Sequence, residues 1–204
     1  IRFYFIKSLN YCTHMFAYKK NYYLIIENIK DIELSNIKKR DKFIIILRNI
    51  KFKENNNELL RFRKICKSKG IKFFVANNIR LAVNLKADGF YISANNTSFK
   101  RPYMIDGNLE IVGAAHNYKE LNLKQKQNCS KFIFSRLFQT TYIYKKSFLG
   151  ILKFNKYSLL INKNLIPLGG IRLNNLNRMR DVKSDALVIF SEIKKKPAIA
   201  NRLF

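Results

Sequence analysis

Cysteine, acidic residues and long apolar runs are all scarce in this chain, and each scarcity removes a class of function. Cys12, Cys66 and Cys129 lie far apart, and none forms a close pair with another cysteine. That spacing excludes a disulfide framework and a cysteine-based zinc site, and it fits a reducing, cytoplasmic compartment. The apolar run Phe43-Ile44-Ile45-Ile46-Leu47 falls far short of the ~20 residues of a membrane span. The opening Ile1-Arg2-Phe3-Tyr4-Phe5-Ile6 lacks a signal-peptide core with a small-residue cleavage site. Because the chain does not begin with methionine, a missing or processed true N-terminus is expected.

Acidic residues number 13 against 40 lysines and arginines, a formal net charge of +27 in 204 residues. Such a charge suggests a polyanion partner if it is clustered. Here it is spread from Arg2 to Arg202, through Lys38-Lys39-Arg40, Arg61 to Lys69 and Lys194-Lys195-Lys196. The crowding of Asn, Ile, Lys, Phe and Tyr is what an A/T-biased coding sequence produces without selection for charge. No RRM, KH or zinc-finger motif is visible, so nucleic acid is expected to bind only non-specifically, in low salt.

What is present is an alternation. Short apolar runs recur at Tyr23–Ile26, Phe43–Leu47, Lys72–Val75, Gly89–Ile92, Glu110–Val112, Lys131–Phe134, Ile166–Leu168 and Leu187–Phe190. Between them, helical spacing of apolar residues covers Ile32–Lys39, Glu54–Ser68, Ile79–Leu85, Lys119–Gln127, Ile151–Leu160, Leu173–Val182 and Ile193 onward. The connection Thr97–Asn108 is at best a short helix. Eight such alternations predict a single α/β domain, a (β/α)8 TIM barrel over residues 22–204. Residues 1–21 then form an N-terminal extension or a helix closing the barrel bottom. An open doubly wound sheet is the alternative, but the glycine-rich phosphate loop it needs after the first strand is missing from Glu27-Asn28-Ile29-Lys30.

In such a barrel the chemistry sits where the strands end. The residues there are Arg48, Asn77-Asn78, Ser93, Asn96, His116-Asn117, Ser135, Thr140-Thr141, Gly169-Gly170 and Ser191. Neutral polar groups with one cation and one imidazole suit an anionic phosphate better than hydrolytic acid/base work. Paired glycines after the seventh strand, a helix opening near Asn174, and Ser191 after the eighth together mark the fold's recurrent phosphate site. The same Gly-Gly pair also suits a purely structural turn. An imidazole at His116 suits a general base, or equally a hydrogen-bonded group at a helix start. His14 reads as a surface residue.

Four segments resemble a known family, thiamine phosphate synthase with its TenI relatives. Phe73-Phe74-Val75-Ala76-Asn77-Asn78-Ile79-Arg80-Leu81-Ala82, with Ala87-Asp88-Gly89-Phe90-Tyr91-Ile92, resembles the family's "I-N-D-x-x-x-L-A … A-D-G-V-H-L-G-Q". Ile111-Val112-Gly113-Ala114-Ala115-His116-Asn117 resembles "I-G-x-S-x-H" with one residue fewer. Phe132 to Thr140 resembles "Y-I-x-x-G-P-V-F-x-T". Pro167-Leu168-Gly169-Gly170-Ile171, then Asn174 and Ala186 to Ile193, resemble "A-I-G-G-I-x-x-x-N … G-V-A-V-I-S-x-I".

The resemblance implies a thiamine-biosynthesis enzyme. The synthase reaction couples hydroxymethylpyrimidine pyrophosphate with thiazole phosphate and needs Mg2+ and cations on the leaving pyrophosphate. It assigns the substrate phosphate to Gly169, Gly170, Ser191 and Thr140, and the pyrophosphate to Arg48 and Asn77. The family's two metal-binding aspartates fall on Asn77 and Asn96, and the lysine of its "Q-L-R-E-K" is lost at Arg48-Asn49-Ile50. TenI relatives aromatise thiazole phosphate through a histidine after the fifth strand, which falls on His116, and need no cofactor. A non-catalytic barrel that binds a phosphorylated ligand is the third expectation. The oligomeric state is left open.

Overall fold

A computed structural model describes residues 19–37, 40–48, 55–99, 109–140, 147–161 and 163–189. Within them stand eight strands: β1 (Asn21–Ile26), β2 (Phe43–Leu47), β3 (Lys72–Ala76), β4 (Gly89–Ile92), β5 (Glu110–Ala115), β6 (Lys131–Ser135), β7 (Asn164–Leu168) and β8 (Ala186–Ile189). They form one sheet in the order β7-β6-β5-β4-β3-β2-β1-β8, every pairing parallel. Sequential order with β8 returning to β1 is that of a (β/α)8 barrel. A doubly wound sheet would reverse its order at a switch point.

The barrel is nearly closed, since β7 and β8 are neighbours in space without a ladder among the described residues. Pro167 explains the seam. The Leu168 carbonyl accepts from the Leu137 N–H at 2.9 Å and so faces β6. One residue earlier, Pro167 faces β8 and has no N–H to give.

Alternate residues divide the core in two. Tyr23, Ile25, Ile44, Ile46, Phe74, Tyr91, Val112, Ile133, Ile166 and Val188 fill the barrel interior. Their neighbours, among them Tyr22, Leu24, Phe43, Ile45, Phe73, Phe90 and Phe132, belong to a second cluster with the helices. Burial on both faces is why these strands read as unbroken apolar runs.

The helices are α1 (Asn56–Ser68), α2 (Ile79–Asn84), α3 (Tyr118–Lys126) and α4 (Gly150–Ile161). Three of them start at an asparagine cap. The side chains of Asn55, Asn78 and Asn117 accept from the N–H groups of Asn57, Leu81 and Glu120.

Two expected helices are corrected. Ile32–Lys39 is no α-helix within its described part. The chain makes short 3-10 turns at Ile29–Asp31 and Leu34–Asn36. Asp31 closes the first by accepting from the N–H groups of Glu27 and Asn28, a local bond that competes with helix propagation. Leu173–Val182 is a 3-10 helix over Leu173–Asp181. Its buried residues Leu176, Met179 and Val182 recur every third position, which three residues per turn place on one face. Residues 1–18 of the expected N-terminal extension, most of Thr97–Asn108 and Ile193 onward lie outside the described residues.

Candidate functional site at the barrel mouth

Side chains alternate across a strand, so the position two beyond an inward core residue also points to the barrel axis. Two beyond Ile46, Tyr91, Ala114 and Ile133 stand Arg48, Ser93, His116 and Ser135. The strands are parallel, so all four lie at one end, the C-terminal mouth. Hydrogen bonds gather the mouth residues into two groups.

The first group follows β2, β3 and β4. Asn77 takes the left-handed backbone conformation, φ 57°, that asparagine tolerates better than most residues. Its N–H donates to the Tyr91 carbonyl at 2.9 Å. Its Oδ1 accepts from the Ser93 N–H at 3.0 Å and from Asn96 Nδ2 at 3.2 Å, and its Nδ2 donates to Ser93 Oγ at 3.0 Å. Asn96 Oδ1 accepts from the Ser98 N–H at 3.0 Å. The two positions assigned to a metal by resemblance are therefore brought together, and each amide oxygen already faces an N–H donor. Arg48 stands 3.7 Å from Glu27 Oε1 and hydrogen-bonds the buried Tyr91 hydroxyl. Burial pushes the Tyr91 pKa up, and the guanidinium partly opposes that rise.

Beneath this loop lies Lys124, which the sequence reading passed over. Its side chain is 0% exposed. Nζ donates to the Asn96 carbonyl at 2.6 Å and to Gln127 Oε1 at 2.9 Å. Gln127 Nε2 in turn donates to the carbonyls of Asn96 and Ser98 at 3.0 and 2.9 Å. A lysine three residues after the buried Leu121, on the apolar face of α3, was the available signal.

The second group follows β5, β6 and β7. His116 Nδ1 lies 2.5 Å from Ser135 Oγ. The His116 N–H donates to Glu120 Oε2 at 2.8 Å, so the first turn of α3 holds the residue before its cap. Gly169 and Gly170 have φ of 96° and 70°. A Cβ on Gly170 would meet the carbonyl oxygens of Phe138 at 2.5 Å and Gln139 at 2.6 Å, and one on Gly169 would meet the Arg136 side chain at 3.0 Å. The turn thus runs directly under the segment leading to Thr140, whose buried Oγ1 has no hydrogen-bond partner among the described residues. Among the described residues the N–H groups of Gly169, Gly170 and Ile171 find no protein acceptor. The 3-10 helix from Leu173 opens beside this turn, with Asn175 donating to the Gly170 carbonyl at 2.7 Å. Ser191 lies outside the described residues. No hydrogen bond joins the two groups directly among the described residues, although Lys124 reaches from α3 into the first.

Other groups take no part. Burial pushes the thiols of Cys66 and Cys129 up to about 12, away from nucleophilic use. A cavity of about 490 Å3 opens at the opposite, N-terminal end, lined by Lys20, Tyr23, Lys131, Lys163 and Lys183 among others. Lys20 and Lys131 there already pair with Asp185 and Glu110. Among the described residues no helix is long and apolar enough to cross a membrane.

Residues 12–193 match the family model described as thiamine monophosphate synthase. A thiamine-phosphate synthase from Prochlorococcus marinus is 25% identical over 130 residues, which are 63% of this chain and 38% of that protein. One from Helicobacter pylori is 25% identical over 129 residues, 62% of this chain and 59% of that protein. The chain thus matches less than two thirds of the length of either relative. Among solved structures, a thiamine phosphate pyrophosphorylase from Pyrococcus furiosus superposes with a TM-score of 0.66 at 16% identity, over 91% of this chain and 94% of that one. KGPDC from Streptococcus mutans gives 0.63 at 13% identity over 91% and 95%. The two structural likenesses show the barrel fold.

Proposed function

This chain belongs to the thiamine monophosphate synthase family, and from that premise we propose that it acts in thiamine biosynthesis as a TenI-type isomerase that aromatises a thiazole phosphate. The observation that carries the reading is the pairing of His116 Nδ1 with Ser135 Oγ at 2.5 Å. A serine hydroxyl both donates and accepts, so either imidazole tautomer satisfies the pair. With Nδ1–H donated to the serine, Nε2 offers a lone pair to a substrate C–H. With the serine O–H donated to Nδ1, Nε2 carries the proton to be returned elsewhere on the ring. An isomerisation needs both roles in turn and has no leaving group.

The phosphate of the substrate would be held by the N–H groups of Gly169, Gly170 and Ile171, with Thr140 Oγ1 and Ser191 as hydroxyl donors. Arg136, beside Gly169, adds a cation. The first group of mouth residues has no part in this step.

A second reading is favoured by the printed names of the relatives, which are synthases. It asks Arg48 and Asn77 to receive a leaving pyrophosphate with Mg2+ at Asn77 and Asn96. Two purified-protein assays separate the readings: turnover of the thiazole phosphate tautomer in EDTA, and formation of thiamine phosphate from both synthase substrates with Mg2+. Tautomer turnover that falls at least ~100-fold in His116→Gln supports the first reading. Mg2+-dependent thiamine phosphate formation indifferent to that substitution overturns it. Phosphate binding with neither activity leaves a non-catalytic barrel and overturns both.

A further inference from the structure

We infer that the β2–β4 half of the mouth has turned from a cation site into a donor-lined site that takes an oxyanion directly, with no divalent metal between. The inventory of lone pairs carries this. A hard dication needs free oxygen lone pairs, preferably carboxylate. Asn77 Oδ1 gives its two lone pairs to the Ser93 N–H and to Asn96 Nδ2, at 3.0 and 3.2 Å. Asn96 Oδ1 accepts from the Ser98 N–H at 3.0 Å. Turning the Asn77 amide over would set its NH2 against two donors, so the Ser93 N–H fixes which way it points. Among the described residues no three His, Cys, Asp or Glu side chains gather to hold a metal. The Mg2+ implied by the synthase members of the family does not fit these residues.

What remains for a ligand is chiefly hydrogen, against one neutral lone pair each on Asn96 Oδ1 and Ser93 Oγ, and the nearby Glu27 carboxylate stands on Arg48 at 3.7 Å. Asn77 Nδ2 spends one hydrogen on Ser93 Oγ and keeps one. Asn96 Nδ2 spends one on Asn77 and keeps one. Ser93 Oγ accepts from Asn77, which leaves its O–H to donate outward. Arg48 completes the set, joined to it through Tyr91. Lys124 adds an ammonium on the Asn96 carbonyl from below. With Asn77 exposed and Ser93, Asn96 and Arg48 half-buried, the ring is open to a phosphate or carboxylate. The inference concerns the half of the mouth that the isomerase reading leaves unused, and its test involves no turnover, so the two fail separately.

The probes are Mn2+, followed by its paramagnetic signal, and inorganic phosphate, followed by the shift in Tm at fixed ionic strength. In the wild-type chain, Mn2+ binding at millimolar metal should not differ from that of Asn77→Ala. The part of the phosphate shift that Asn77→Ala removes, which separates this half from the Gly169-Gly170 turn, should be present and the same in EDTA as in Mg2+. The double substitution Asn77→Asp/Asn96→Asp replaces amides by carboxylates of nearly the same shape. It should gain a stoichiometric Mn2+ site, weaken phosphate in EDTA on the order of tenfold, and recover it when Mn2+ is added. Wild-type Mn2+ binding that Asn77→Ala removes would overturn the inference. So would a wild-type phosphate shift that requires Mg2+, or a folded double variant with unchanged Mn2+ and phosphate behaviour.

Discussion

The two halves of the barrel mouth are held by different kinds of bond. Around β2–β4 the loops are tied by side chains, with the Asn77 amide spanning Ser93 and Asn96, and with Lys124 and Gln127 gripping the Asn96 carbonyl. Around β5–β7 main chain crosses main chain. Leu137 and Phe138 donate to the carbonyls of Leu168 and Gly169 at 2.9 and 3.0 Å, and Leu149 donates to that of Arg136 at 2.8 Å. A side-chain frame can change its chemistry by single substitutions while the chain path stays. A main-chain frame cannot, because the glycines that allow the crossing have no substitute. Departure from the family pattern is concentrated in the first half, and likeness in the second.

Gly170→Ala gives the largest effect expected. It sets a methyl against two carbonyl oxygens, at 2.5 and 2.6 Å, in a residue with φ 70°. Left-handed strain and overpacking against backbone together should cost about 3 kcal/mol in urea unfolding. Gly150 has φ 73° with nothing within 4 Å of its Cβ position, so Gly150→Ala isolates the strain at about 1 kcal/mol. Equal losses at the two sites would remove the contrast between the halves. The same geometry makes substitution of Gly170 a poor probe of phosphate binding.

Much of this was legible in the sequence. The strands were readable because both their faces are buried, and the Gly169-Gly170 turn because paired glycines must break a strand. Part of the likeness to the family proves to be fold chemistry. Asp88 accepts from the Phe73 N–H at 2.7 Å and pairs with Arg63 at 2.8 Å, and a Cβ on Gly89 would strike the Phe74 ring. The 3-10 segments were less legible, because a spacing of three over a few residues also fits one face of an α-helix. The amide network could not be read at all. Which neighbour an asparagine oxygen faces is decided by the φ of 57° at Asn77 and by the Ser93 N–H one strand away.

Asn77→Ala comes second in size. It removes the acceptor of the Ser93 N–H and puts alanine at a left-handed φ, for a loss of about 2 kcal/mol. Asn77→Gly removes the same hydrogen bonds without the strain, and should recover roughly 1 kcal/mol. No loss with either variant would mean that the β2–β4 loops stand without their side-chain ties.

Lys124→Met cuts the tie that runs from α3 to the β4 loop. Two donated hydrogen bonds disappear, but so does a buried charge, and near neutral pH the change should be about 1 kcal/mol or less. Its signature is pH dependence. Burial holds the Lys124 pKa below its ordinary value of 10.5. The folded chain therefore releases this proton before the unfolded chain does, so stability rises with pH from the folded pKa towards 10.5. Above pH 9 the raised thiols of Cys66 and Cys129 pull stability the other way in both proteins, so the lysine is read as a difference: the stability of the methionine variant relative to the wild-type chain should fall as pH rises towards 10.5. An unchanged alkaline limb would show that the ammonium under Asn96 is not desolvated.

The smallest stability effect is expected where the proposed chemistry is greatest. His116 is exposed, and among the described residues its imidazole makes one hydrogen bond, to Ser135. The bond that fixes its backbone, to Glu120, uses the N–H that any residue but proline would supply. His116→Gln should therefore shift unfolding by about 0.5 kcal/mol or less, while tautomer turnover collapses. A loss comparable to that of Asn77→Ala would instead make the His116–Ser135 pair a structural tie. The β5–β7 half would then be held by side chains like its neighbour, and a drop in turnover could no longer be assigned to the imidazole.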